Sequence, residues 1–362
     1  MHILLLSRPV VNAGDYLFTA RSLEAFENIC PDADIQTGHI SREYELDHLN
    51  QFDAVVAAGG PLYDNRFLTE EAFPALRYAA KMLPKLHFLS NGWYGPDAEA
   101  GSLSNYRFEH NVKKKLSTIE KRGGTFSCRD FISEYILRNN GIRNVTMTGC
   151  TAWYDYDRLG MYEPICRGRV RRILLSDQGI TKDPAVWEWK YKQMENTISL
   201  LKEIFPEAEF AFTFNGGIQT KYSEAYNLRI CGLLRDNDIA FHDISGSKEG
   251  FSLCDAVDLH IGFRVHTHIH CMSRRIPSVL ISEDARGIGC NTALGLHDIR
   301  DFSVDRGKIA SNSRMIQELE YYLSDLMKSD FQLLTSAYVR MNTVYRNFFV
   351  PFVRRIGFYD KG

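Results

Sequence analysis

An α/β fold of two Rossmann-like domains is what this 362-residue sequence predicts, and three observations predict it. Short apolar runs of strand length alternate with longer amphipathic stretches, the pattern of parallel strands joined by crossover helices. The alternation occurs twice, on either side of a linker, Asp155–Arg169, broken by Gly160, Pro164 and Gly168. The length is that of two typical domains, each able to bury its own core.

The elements follow in order. Ile3–Ser7 reads as the first strand, Val11–Asp15 as a turn and Tyr16–Ile29 as a helix that Asp15 can cap. Ala54–Ala58 is a strand closed by Gly59 and Gly60, Glu70–Met82 a helix, and Leu86–Ser90 a strand ending in Asn91 and Gly92. A helix at Val112–Lys121, a strand at Thr125–Cys128, a helix at Ser133–Asn139 and a strand at Val145–Thr148 complete the first unit. The second runs Arg172–Ser176 strand, Val186–Ile204 helix, Glu209–Phe214 strand and Ser223–Leu234 helix. Strands at Ile239–His242 and Val257–Gly262 follow, then a helix at Arg264–Met272 and a strand at Ser278–Ser282. From Ser313 to about Phe349 the chain reads as mostly helical. The expected domains are 1–160 and 161–312, with 313–362 a helical segment packing back on the first. In such a fold the active site is expected in a cleft between domains, outside the carboxyl ends of the strands.

Composition excludes several classes. A formal net charge of -2 gives no global field for nucleic acid. No apolar run approaches the ~20 residues that span a bilayer. The start, Met1–Leu6, has neither a basic leader nor a small-residue cleavage site, so no signal peptide is expected. The eight cysteines are scattered singly without a CxxC pair, which suits a reducing, cytosolic compartment. No G-x-G-x-x-G fingerprint and no P-loop occurs.

Chemistry-bearing residues gather at the predicted strand ends. Asn12, Gly14 and Asp15 follow the first strand, where Gly14 permits a tight turn and Asp15 offers a carboxylate. Gly59 and Gly60 allow a ligand or a neighbouring backbone to come close. Arg129 and Asp130 form either an anion site or a structural pair. The richest stretch is Gly262–His270, where Arg264 and His266 stand at the start of a helix. Free N–H groups and the helix dipole favour an anion there, Arg264 adds a planar cation, and His266 adds a proton-transfer group. A metal site on His266, His268 and His270, helped by Asp255 and Asp258, is a rival; packing histidines at 268 and 270 are another. Arg286 lies in a Gly-rich loop after the strand that ends at Glu283 and Asp284.

Taken together these blocks resemble the polysaccharide pyruvyl transferase family. They are Asn12, Gly14 and Asp15; Asp53 through Gly60; Arg129, Asp130 and Ser133; Arg264 and His266; and Ile276 and Pro277. The order and spacing match from residue 1 to about 300. The resemblance implies a two-Rossmann fold of the GT-B type, with the first domain on the acceptor side and the second on the donor side. It implies phosphoenolpyruvate as donor, with no cofactor and no metal, and a sugar or lipid-linked oligosaccharide as acceptor. Carried over, Arg264 and His266 contact the donor and His266 is the acid–base residue. Arg286 and Arg129 are further donor-binding candidates, and Asp15 a candidate base. Asn12, Gly14, Gly60 and Asn91 are acceptor-side candidates. Two other readings stay open: a glycosyltransferase of the same fold using a nucleotide-sugar, and a sugar-binding scaffold without catalysis. The aromatics and arginines of Tyr338–Arg355 allow peripheral contact at the inner face of the cytoplasmic membrane, or packing on the first domain.

Overall fold

The computed structural model describes residues 1–66, 73–165, 169–179, 184–220, 223–305 and 307–357. The chain divides into two compact units. One holds Met1–Val10, Asp15–Tyr154 and the chain from Arg340 onward; the other holds Val11–Gly14 and Asp155–Val339.

The first unit is a parallel sheet of β1 (His2–Ser7), β2 (Asp34–His39), β3 (Ala54–Ala58), β4 (Lys85–Asn91), β5 (Phe126–Cys128) and β6 (Val145–Met147), in the order β2-β1-β3-β4-β5-β6. Its helices are α1 (Ala13–Ile29), the short α2 (Leu46–Leu49) and α3 (Ala100–Asn105), α4 (His110–Lys121) and α5 (Phe131–Asn139). The central strand β3 is buried at every position, as a strand covered on both faces must be. The strand order reverses between β1 and β3, which opens a crevice at their carboxyl ends. Gly59 and Gly60, both at positive φ, form that rim.

The second unit repeats the plan. Its parallel sheet is built from β7 (Arg172–Ser176), β8 (Glu209–Phe214), β9 (Ala240–Asp243), β10 (Leu259–Gly262), β11 (Ser278–Ser282) and β12 (Ile299–Arg300). The order is β12-β11-β10-β7-β8-β9, with the reversal between β7 and β10. A separate two-stranded antiparallel sheet, β13 (Phe302–Asp305) and β14 (Lys308–Ser311), follows it. The crossover helices are α6 (Pro184–Ile204), α7 (Glu224–Asp236), α8 (Val265–Ser273) and α9 (Ala285–Leu294). The strand at Val257 starts two residues later, at Leu259.

The terminal stretch read as one helical segment from 313 is shared between the units. Helix α10 (Met315–Lys328) belongs to the second, α11 (Thr335–Val344) crosses the boundary, and α12 (Val350–Gly357) belongs to the first. Helix α12 buries Phe352, Val353 and Ile356, and the Phe349 ring lies tilted against Tyr154, their centroids 4.5 Å apart. Its apolar face is therefore used inside the first unit, and what it exposes is Pro351, Arg354 and Arg355. Among the described residues no helix is long and apolar enough to cross a membrane. Seven described cysteines are free and buried; Cys166 lies outside the described residues.

Several sequence expectations are corrected. Helix α1 begins at Ala13, not Tyr16, because the Asn12 side chain caps it by accepting the Gly14 N–H at 2.9 Å. Asp15 thus sits in the first turn and is not the cap. The helix expected at 70–82 is, over its described part, a single 3-10 turn at Pro74–Leu76 followed by turns; residues 70–72 lie outside the described residues. The Gly-rich loop around Arg286 is helix α9, capped by Asp284. Strand β2 went unread because it is a polar, largely exposed edge.

Candidate active site

At the reversal point of the second sheet, β7 and β10 end side by side and deliver their next residues to one place. After β7 come Asp177 and Gln178; after β10 comes Arg264, the N-cap residue of α8, with extended φ of -88° and ψ of 111°. Asp177 grips the Arg264 guanidinium twice: Nε donates to Oδ1 at 2.8 Å and Nη2 to Oδ2 at 2.5 Å. Nη2 also donates to the Gln178 carbonyl at 3.1 Å. This is the fork geometry that arginine provides and lysine does not. Burial works against the charge of Arg264, but Asp177 more than offsets it and holds the pKa above its ordinary value. Nη1 keeps no partner among the described residues. Helix α8 leaves its own first-turn N–H groups without intrahelical partners, so the cation stands beside a positive helix end.

His266 is the second residue of α8 and is half-buried. Against its ring lies Gly14. A β-carbon at position 14 would fall less than 3.0 Å from the His266 Nδ1, Cγ and Cβ atoms, a clash, so only glycine fits. The loop Val11–Gly14 is tied down by backbone bonds. The Ala13 N–H donates to the Asn215 carbonyl at 2.9 Å, and the Gly246 N–H to the Val11 carbonyl at 2.7 Å. Asn215 is itself fixed: its N–H donates to Asp177 at 3.0 Å and its side-chain amide to Thr267 at 2.7 Å. Asn12, Gly14, Arg264 and His266 are thereby brought together within the second unit. Gly14→Ala is expected to push the His266 ring out of register and lower turnover by about 10²-fold, the scale for a misplacement of roughly 1 Å. Steady-state kinetics on the folded variant checks this.

Arg286 lies near enough for its charge to act on Arg264. It is not an open cation: Nε contacts both Asp284 oxygens at 3.0 Å and Nη2 donates to Oδ2 at 2.5 Å. Glu283, one residue earlier, accepts the Gly179 N–H at 2.9 and 2.7 Å and pairs with Lys190, which also holds Asp301 at 2.8 Å. Sequence reading missed Lys190, Asp177 and Asn215. The signals were present, since Asp177 and Asn215 each follow a strand, but nothing local joins them to Arg264.

The candidates in the first unit form their own cluster at the ends of β3, β4 and β5. Asn91 donates to the Gly59 carbonyl at 2.5 Å, and the Gly92 N–H donates to the Gly60 carbonyl at 2.9 Å. The Arg129 guanidinium lies flat on Gly92, where a β-carbon would clash. Its residue is only 6% exposed; Nε and Nη2 make no hydrogen bond among the described residues, and Asp130 pairs with Nε at 3.4 Å. The Ser90 Oγ and Asn91 Oδ1 atoms are likewise buried and make no hydrogen bond among the described residues. Asp130 is engaged as the N-cap of α5, accepting the Ser133 N–H at 2.7 Å. The buried Arg129 cation already has an anion beside it in the equally buried Asp130. Cys128 beside it is no nucleophile, since burial pushes its thiol pKa well up. Asp15 falls in the first unit, one residue beyond Gly14 on α1.

The histidine run is helical, and His268 and His270 are buried. Asp255 pairs with Arg274, and Asp258 accepts the Arg171 and Arg172 N–H groups. Among the described residues no group of three or more His, Cys, Asp and Glu side chains is placed to hold a metal ion.

The family described as polysaccharide pyruvyl transferase matches residues 12–285 of this chain. No curated protein matches. Among solved structures, the chain is similar to a UDP co-structure of MnaA from S. aureus, with 12% identity, a TM-score of 0.57, and 99% of this chain and 96% of that one covered. It is similar to a putative UDP-N-acetylglucosamine 2-epimerase from Listeria monocytogenes, with 11% identity, a TM-score of 0.57, and 99% and 98% covered. A glycosyltransferase from Rickettsia africae is similar too, at 12% identity and a TM-score of 0.53, with 98% of each chain covered. At such identities the likeness is one of fold, the two-Rossmann GT-B type.

Proposed function

The chain belongs to the polysaccharide pyruvyl transferase family, and from that premise we propose that it moves a pyruvyl group from phosphoenolpyruvate to two hydroxyls of a sugar, forming a cyclic ketal. The observation that carries the reading is the start of α8. There Arg264, whose Nη1 is unclaimed among the described residues, and the half-buried His266 flank a positive helix end. Such a site suits a small, doubly anionic donor that also needs a proton.

In this mechanism Arg264 and the first turn of α8 hold the phosphate. His266 delivers a proton to carbon 3, turning the methylene into a methyl group. One sugar hydroxyl attacks carbon 2 and loses its proton to a base, for which Asp15 is the candidate. The bond from carbon 2 to the phosphate oxygen then breaks and phosphate leaves. A second hydroxyl attacks carbon 2, gives up its proton and closes the ketal. The two protons lost by the hydroxyls balance the one gained at carbon 3 and the one carried off by phosphate. For the donor carboxylate the candidate cations are Arg286, already paired with Asp284, and Arg129, already paired with Asp130. Gly60 and Asn91 remain the proposed acceptor side, while Asn12 and Gly14, expected there too, belong to the second unit with His266. No cofactor and no metal enters the scheme. The acceptor is a free or lipid-linked sugar, and the chain works in the cytoplasm, where any contact with a membrane is electrostatic, through Arg354 and Arg355.

A nucleotide-sugar donor fits less well. It calls for a strand-end carboxylate open to ribose hydroxyls. Glu283, at the end of β11, is already taken by Gly179 and Lys190. The test is phosphate release from phosphoenolpyruvate across galactosyl, mannosyl and glucosyl acceptors, run beside nucleotide release from nucleotide-sugars. Acceptor-dependent phosphate release is expected. Nucleotide release alone overturns the proposal, and so does the absence of both.

A further inference from the structure

We infer that His260 and His268 are positioning residues for the Arg264–His266 pair, acting through a buried chain of side-chain hydrogen bonds that ends on the Arg264 backbone. The chain runs across the sheet. Nδ1 of His268, on α8, is 2.8 Å from the Ser278 Oγ at the start of β11. That hydroxyl is 2.8 Å from the His260 Nδ1 on β10. The His260 Nε2 is 3.0 Å from the Ser176 Oγ at the end of β7. The Ser176 Oγ receives the Arg264 N–H at 3.3 Å. All four side chains are at most 1% exposed.

Proton counting fixes the polarity of this chain. Burial lowers the pKa of both histidines, to about 3 for His268, so each is neutral and carries one N–H. The Arg264 N–H can only donate, so the Ser176 Oγ accepts there. If Ser176 also donates to the His260 Nε2, the His260 Nδ1–H donates to Ser278 and Ser278 donates to the His268 Nδ1. The last proton then sits on the His268 Nε2, a buried atom without a hydrogen-bond partner among the described residues. That arrangement leaves one group unmet. The reverse polarity leaves two, the bare His268 Nε2 and the Ser176 hydroxyl proton. The structure therefore assigns the Nδ1–H tautomer to His260 and the Nε2–H tautomer to His268.

The consequence lies at the site. Gly262 leaves room for the Ser176 hydroxyl where any β-carbon would collide with it. Ser176 fixes the backbone of Arg264 and Asp177, the next residue, fixes its guanidinium. Two consecutive residues of β7's end thus set both parts of the cap from which α8 starts. The histidines act on the reaction only by holding Ser176 in that role.

The activity arm of the test rests on the donor assignment above; the spectroscopic arm does not. With histidine labelled in nitrogen-15, long-range proton–nitrogen spectra of the whole protein are expected to show His260 and His268 neutral from pH 5 to 8, as opposite tautomers in the assigned sense. Protonated rings, or the reverse tautomers, overturn the chain. In the activity arm, Ser176→Ala removes the acceptor with little change in volume. It is expected to raise the Michaelis constant for phosphoenolpyruvate by about tenfold, the scale of one hydrogen bond to a binding group, and to leave that of the sugar unchanged. An unchanged donor constant in active, folded Ser176→Ala overturns the positioning role, as does an equal rise for both substrates. A wild-type protein inert toward phosphoenolpyruvate sinks the donor assignment instead, and the tautomers still decide the chain.

Discussion

Replacing His266 with alanine is expected to abolish measurable turnover while leaving the second unit folded. The side chain is half-buried at the first turn of α8, so its loss removes little core volume. Surface-like substitutions of this kind change stability by about 0.5 kcal/mol or less. Positioned acid–base groups contribute roughly 10²–10⁴-fold to a rate. The scheme gives His266 the protonation of carbon 3, without which carbon 2 does not become electrophilic. Phosphate release and a thermal unfolding curve, measured on the same preparation, separate chemistry from folding. Near-normal release from a folded alanine variant would remove the histidine from the mechanism. Gly14→Ala, which leaves the imidazole in place but displaces it, is expected to fall between wild type and this variant.

The largest stability effect is expected at Lys190. The residue is 4% exposed and its ammonium stands between Glu283 and Asp301, joining α6 to the ends of β11 and β12. Burial disfavours the charge of Lys190, but the two carboxylates more than offset that and raise its pKa. Lys190→Met leaves two buried carboxylates facing each other. Removal of one member of a buried ion pair costs about 3–5 kcal/mol. The sign of the pH dependence follows from Glu283. Burial already pushes its pKa from 4.5 up to about 7, and Lys190 opposes that rise. Without Lys190 the folded-state pKa climbs further, so the folded protein binds a proton that the unfolded chain releases above 4.5. The stability of the variant is therefore retained at low pH and lost as pH rises through 7. Urea titrations of both proteins at pH 5 and pH 8 check this, with the larger deficit expected at pH 8. A deficit independent of pH would show that lost packing, and not charge, is responsible. Because Glu283 holds the Gly179 N–H beside Gln178, whose carbonyl takes an Arg264 proton, the variant is also expected to bind donor less tightly.

The places where sequence reading failed share a cause. Helix α9 was read as a loop because Gly287 and Gly289 have poor helix propensity. Gly287 is there because the backbone of Ser282 lies too close for a side chain, a contact no local window contains. Strand β2 carries Gln36, Thr37 and Gly38 and lacks the apolar signal, since an edge strand needs none. Arg129 was legible as a strand-end cation, but the two donors that make no hydrogen bond among the described residues were not. Arg264 was legible as a cation at a helix start, but its carboxylate partner was not.

The alternation of apolar runs with amphipathic stretches was enough to determine two parallel sheets, because strands covered on both faces and helices covered on one have different periods. The ordered blocks from Asn12 to Pro277 were enough for the family, and Arg264 and His266 for the start of α8. Only the tertiary structure decided which cations already have partners, that Val11–Gly14 belongs to the second unit, and that His260 and His268 lead to the Arg264 backbone. Asp177 and Arg264 are 87 residues apart and meet because β7 and β10 are neighbours. Strand order is set by how whole elements cover one another's apolar faces, so the pairing of side chains at strand ends is not written in any one stretch of the chain.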